Sequence, residues 1–117
     1  MAVHIIWIGL RLMRRSWKGL LDAAIPSEDA TEVTKLFSEY SRRYGVTFHA
    51  LRTRQAGARR FISFHFLVPD AWTVARAHQL SEEIESRIRS LVPNAAVFTH
   101  IEPISDPSSY EDQGLDR

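Results

Sequence analysis

The apolar positions along the chain change their period several times, and each change marks a new element. Residues 3–13 are almost continuously apolar and give way to Arg14, Arg15 and Lys18. Farther on, Val33, Leu36, Phe37, Tyr40 and Tyr44 recur at helical spacing until Gly45 closes the run. Pro26-Ser27 ahead of Glu28, Asp29 and Glu32 has the form of a helix start, a capping serine with acids in the first turn. Together these predict a helix over 28–44. Residues 46–54 and 60–68 alternate instead and are rich in Val, Phe, Thr and Ile, with Gln55-Ala56-Gly57-Ala58 between them as a hairpin turn. Asp70 is placed to cap a second helix, whose stripe Val74, Ala77, Ile84, Ile88 and Leu91 stops at Pro93. A last strand is predicted over 95–102. The order helix, strand, strand, helix, strand predicts an α+β two-layer sandwich. From Pro103 the chain turns polar, which predicts a loose tail. The organisation read from these periods is an apolar and basic N-terminal helix over 1–22, a domain over 23–103 and a flexible tail over 104–117.

Length bounds the answer further: 117 residues make one small domain with a single modest core. A hydrophobic share of 44% and a charged share of 25% are those of an ordinary globular protein. The net charge of +1 is too small to demand a nucleic-acid or membrane-surface partner. Without cysteine there is no disulfide and no thiolate metal site, which disfavours Cu(I) and iron–sulfur chemistry. The N-terminal apolar run is shorter than the roughly 20 residues of a bilayer span, and Arg11 interrupts it. It is no signal peptide, because its positive charges follow the apolar stretch. Two readings stand: the last turns of a transmembrane helix leaving the bilayer on its positive, cytoplasmic side, or an amphipathic helix packed on the domain or a partner. Trp7 and Trp17 flank it as candidate interfacial anchors, whereas Trp72 is read as core.

Strand parity brings in chemistry. In the second strand Ile62, Phe64, Phe66 and Val68 form the core face, leaving Phe61, Ser63, His65 and Leu67 on the other. In the third, Val97, Thr99 and Ile101 oppose Phe98, His100 and Glu102. His65, His100 and Glu102 can therefore share the face away from the helices, His49 can join them from the first strand, and His78 belongs to the second helix. Imidazole and carboxylate suit zinc and its first-row neighbours, so these residues predict a divalent-metal site. Phe61, Leu67 and Phe98 on the same face predict a covering partner, most simply a second copy of the chain. The hairpin arginines Arg52, Arg54, Arg59 and Arg60 offer an alternative, an RNA- or protein-binding module. They lack interleaved exposed aromatics, which favours a solvated, salt-bridged hairpin. No phosphate loop, nucleophile elbow or zinc-protease motif is present, so an enzyme is not predicted.

The runs His49-Ala50-Leu51-Arg52-Thr53-Arg54, Phe64-His65, Ala75-Arg76-Ala77-His78 and Thr99-His100-Ile101-Glu102-Pro103 resemble the cytoplasmic C-terminal domain of cation diffusion facilitator transporters. Leu20-Leu21-Asp22-Ala23-Ala24-Ile25-Pro26 is similar to that family's junction with its sixth transmembrane helix. The resemblance covers about residues 5–103. It implies a ferredoxin-like, metallochaperone-like fold, a cytoplasmic location, homodimerisation, and zinc held between protomers by His49, His65, His78, His100 and Glu102, with Cd²⁺, Co²⁺, Ni²⁺, Mn²⁺ or Fe²⁺ as other candidates. Membrane partners are implied too, in the form of a transporter domain of the same family. Two positions depart from the family's habit: Glu102 stands where aspartate is common, and Ala50 where an aspartate often follows the first histidine. Strict alternation puts Ala50 on the face opposite His49, so its missing charge is expected to weaken binding without abolishing it. The helices that carry the family's transport site are missing, so no transport by this chain alone is expected. The apolar stretch directly after Met1 favours a free-standing metal buffer, chaperone or sensor over a piece of a transporter.

Overall fold

A computed structural model describes residues 1–20 and 24–114, and the side chains of residues 1–14 and 24–110. Its first element, α1 (Ala2–Leu20), leaves Ile5, Ile6, Trp7, Leu10 and Leu12 exposed. No described helix is long and apolar enough to cross a membrane.

The next helix, α2 (Ser27–Tyr44), buries Val33, Leu36, Phe37 and Tyr40, which fall on one stripe. The predicted serine cap does not form: Ser27 is already helical, and Pro26 holds the cap position without a side-chain hydrogen bond. Glu28 and Asp29 do lie in the first turn, where the helix dipole favours them. Gly45 ends the helix at a φ of 69°, its N–H donating to the Ser41 carbonyl; a left-handed residue here is free of a Cβ clash.

Strands β1 (Thr47–Ala56) and β2 (Arg59–Val68) form an antiparallel hairpin through Gly57-Ala58, with Gly57 at a φ of 60°. The strands run on through the residues that sequence assigned to a longer turn. Helix α3 (Val74–Leu91) then crosses to β3 (Ala95–Pro103), which lies parallel to β2 and completes the order β1-β2-β3. Asp70 does not cap α3. Thr73 does, its hydroxyl accepting from the Arg76 N–H at 3.1 Å, because only the residue just outside the first turn can reach the free amides there. Asp70 instead accepts from the backbone N–H and the hydroxyl of Ser105. The α3 stripe buries Ala77, Leu80, Ser81, Ile84 and Ile88, while Val74 and Leu91 at its ends are exposed.

Ile62, Phe64 and Phe66 meet Val33, Ile84 and Ile88 in the core between sheet and helices. Phe37 stacks on Phe48 with centroids 4.2 Å apart and tilts against Phe64 at 4.7 Å. The fold is thus an α+β two-layer sandwich, with one sheet face committed to the helices and the other free to carry polar chemistry.

The described part of the tail is not loose. The Ile104 N–H donates to the Val68 carbonyl at 3.0 Å, and a 3-10 helix follows (Pro107–Gly114). The backbone N–H of Ser108, helped by its hydroxyl, holds the Asp106 carboxyl below the usual carboxylate range. The buried Ser109 donates its hydroxyl to the Pro103 carbonyl at 2.9 Å, and the Tyr110 hydroxyl donates to the Ile104 carbonyl at 2.8 Å. Local side-chain to backbone bonds of this kind order a segment that has no hydrophobic period to reveal it.

Candidate metal centre

Strand register decides which side chains meet. His49 lies opposite His65, His65 opposite His100, and Leu67 opposite Glu102. Three imidazoles therefore form a row across the outer sheet face, with Glu102 two residues along β3 on the same side.

The row depends on a bulge. The β1–β2 register slips by one residue between His49 and Arg52, and Ala50 sits there with a φ of 52°. The extra residue lets Phe48 and Leu51 both pack toward the core while His49 and Arg52 both face outward. An outer-face hollow of about 450 Å³ is bordered by Ala50 together with Arg52, Ser63, His65, Phe98 and His100.

Within the row, His49 Nε2 lies 3.2 Å from His65 Nδ1. Glu102 reaches both rings, Oε2 at 3.4 Å from His49 Nε2 and Oε1 at 3.4 Å from His65 Nδ1. One ligand atom from each of His49, His65 and Glu102 falls within a mutual 4.8 Å. His100 borders this trio, its Nε2 3.2 Å from Glu102 Oε1 and its ring centroid 5.1 Å from that of His65. His78 does not join it. It is exposed on α3, where its backbone carbonyl accepts from the Ser81 hydroxyl.

The arrangement is under-satisfied as it stands. Of the two facing imidazole nitrogens one must donate and the other accept, and among the described residues Glu102 Oε2 is buried without a hydrogen-bond partner. A buried acceptor in that state costs roughly 1–3 kcal/mol. A divalent ion answers this need. Zinc bonds of about 2.0–2.2 Å in a tetrahedron put neighbouring ligand atoms roughly 3.3–3.6 Å apart; the two imidazole nitrogens are 3.2 Å apart and each lies 3.4 Å from a different oxygen of Glu102, with one atom from each residue within a mutual 4.8 Å. Two imidazoles and a carboxylate fit such an ion.

The surroundings differ from expectation in three ways. Leu67 is fully buried and Phe61 lies under the Arg54 guanidinium at 4.6 Å, so Phe98, 60% exposed, is the main open apolar group of that face. The hairpin arginines do not gather into one basic surface, since Arg60 crosses to the helical side and pairs with Asp29 at 2.5 Å. Finally, Tyr110 stands edge-on to His49, rings at 88° and centroids 5.7 Å apart. Nothing in the periodicity of the polar tail signals that contact.

A sequence profile described as the cytoplasmic domain of cation efflux proteins matches residues 25–104. The chain belongs to the cation efflux family and corresponds to that domain. An uncharacterized transporter of Synechocystis sp. is 43% identical over 108 residues, spanning 92% of this chain and 34% of its own length. The cation-efflux pump FieF of Pectobacterium atrosepticum is 34% identical over 104 residues, spanning 89% of this chain and again 34% of its own. This chain therefore spans about a third of the relatives it matches. Among solved structures, the Zn form of CzrB is 30% identical with a TM-score of 0.65, covering 74% of this chain and 97% of that one.

Proposed function

We propose that this chain is a metal-responsive dimerisation module of the cation efflux system. It binds a divalent cation, zinc foremost, through His49, His65 and Glu102, with His100 as the adjoining fourth donor. The observation that carries this reading is the convergence of donors from three strands around a buried carboxylate oxygen that, among the described residues, accepts no hydrogen bond. Imidazole donors exclude Mg²⁺ and Ca²⁺ as preferred ions, which want oxygen ligands, and admit Co²⁺, Ni²⁺ and Cd²⁺ as substitutes. When bound, the ion supplies positive charge to Glu102 and fixes the tautomers of the rings. His78 has the right chemistry but the wrong place for this trio, so we assign it to a second ion or to the centre of another protomer.

The exposed Phe98 and the outer-face hollow support a homodimer formed through this face. The unit that dimerises is residues 23–103, acting on the cytoplasmic side of a membrane either with a transporter domain of the same family or as a free-standing sensor or buffer. Its role is regulatory, with no catalysis and no transport of its own. Titration calorimetry with zinc and calcium, alongside sedimentation with and without zinc, tests the reading. Stoichiometric zinc binding, lost in a His49→Ala and His100→Ala double variant, and a dimer at micromolar concentration are expected. Tight calcium binding without zinc binding, or a monomer in every condition, would overturn it.

A further inference from the structure

We propose that Tyr110 is a positioning residue of the metal centre: the returning tail closes the His49 side and leaves the His100 side as the route of metal exchange. The proposal rests on the metal-binding reading above. Its starting point is an asymmetry between two equivalent places. β1 and β3 are the two edges of a three-stranded sheet, and His49 and His100 occupy matching positions on them, each beside His65. An outward side chain on an edge strand lies open to water unless something comes over the edge. The His100 side chain is 67% exposed, yet that of His49 is only 10% exposed.

The tail contributes to the difference, because Tyr110 stands over the His49 ring. It turns at the end of β3, is tied to the loop before α3 through Asp70 and Ser105, and is closed internally by Ser109 on Pro103 and Tyr110 on Ile104. Those bonds set the Tyr110 ring perpendicular to the His49 ring. An imidazole can rotate through a broad range about its outer torsion, and an edge-on aromatic wall limits that range to orientations that keep Nε2 directed at His65. The same wall keeps water and competing ligands away from the His49 side. On the other side the His100 ring is exposed in the single protomer, beside a hollow that runs across all three strands from Ala50 and Arg52 to Phe98. Among the described residues, a cation held by His49, His65 and Glu102 is walled by Tyr110 beside His49 and bordered by the exposed His100 on the other edge.

Release of zinc from the full chain to a chromophoric chelator, followed by stopped flow, tests this. Tyr110 is itself 42% exposed, so its replacement leaves the core intact, which melting of the metal-free protein checks. Tyr110→Ala should keep the zinc stoichiometry and the visible spectrum of a bound Co²⁺ probe while releasing zinc roughly two- to tenfold faster, the range that an aromatic edge contact commands. Tyr110→Phe keeps the ring but loses its anchor on the Ile104 carbonyl, and should fall between. Unchanged release from Tyr110→Ala, with release altered in His65→Ala, would overturn the role of Tyr110 alone. Identical binding and release by wild type and His65→Ala would overturn the metal reading, and this proposal with it.

Discussion

Glu102→Gln separates a frustrated site from a merely polar one, because its two expected effects have opposite signs. In the metal-free protein Glu102 Oε2 is buried and, among the described residues, accepts no hydrogen bond, although His49 Nε2 lies 3.4 Å away. An amide in its place removes the charge and turns that buried acceptor into a group that can rotate to present either an N–H or an oxygen. Relieving even the low end of a buried unsatisfied acceptor gives about 1 kcal/mol, which for a domain near this size raises the melting temperature by roughly 4 °C. Zinc should report the reverse. At a hundredfold excess over its dissociation constant, the ion stabilises the wild type by about 2.7 kcal/mol, a shift of roughly 10 °C on the same scale. Replacing an outer partner of a ligand typically costs 10- to 100-fold in affinity, and an inner carboxylate should cost at least the upper figure. The zinc shift of the variant then falls to about 0.4 kcal/mol, under roughly 2 °C. Melting curves at pH 7.5 with a chelator and with zinc measure both. A variant that melts lower without metal and keeps the full zinc shift would refute the argument, since Glu102 would then be satisfied in the apo state and idle in the bound one.

Other outcomes follow from the same structure. Only neutral imidazole can ligate, so the zinc-induced shift in melting temperature should be large at pH 7.5 and small at pH 5.5; an equal shift at both would remove histidine from the site. Ile84 is fully buried beneath the sheet, and Ile84→Ala should destabilise by about 2–5 kcal/mol in denaturant titration with zinc stoichiometry per folded chain unchanged. Burial raises the Tyr40 phenol above its ordinary value of 10.0. A raised value means that the folded state favours the protonated phenol, so its contribution is complete below pH 10 and disappears as pH rises through the folded value. Alkaline unfolding of Tyr40→Phe should therefore be less steep than that of the wild type.

Much of this was legible from residues alone. The α2 stripe, the Ile62-Phe64-Phe66 face and the outward placement of His65, His100 and Glu102 follow from periods of 3.6 and 2, because one face of each element must be buried. What escaped was set by local hydrogen bonding. Thr73 and Asp70 are both sound caps by type, and only the position of the first free amides chose between them. The tail is held by hydroxyl and carboxylate contacts of Asp106, Ser109 and Tyr110, which leave no mark on an apolar pattern. Membership of the trio was half legible: a row of three histidines follows from register, and His78 stands apart from it because α3 packs on the other face of the sheet.

The bulge is the most instructive case, since the sequence contains its signature. Strict alternation from Phe48 would send Ala50, Arg52 and Arg54 to the core face along with it, and two arginines among the apolar side chains of that face are untenable. One extra residue between His49 and Arg52 resolves the conflict, returning Leu51 to the core and both arginines to the outer face. A left-handed conformation on a residue with a Cβ costs roughly 1–2 kcal/mol, and the chain bears that cost at Ala50, next to the first histidine. Strained backbone of this kind persists where surrounding structure over-determines it. Here the determinants are Phe48 stacked on Phe37 on one side of the sheet, and on the other His49 set 3.2 Å from His65. A parity conflict beside a candidate ligand is therefore a readable sign that a strand has been bent to aim it.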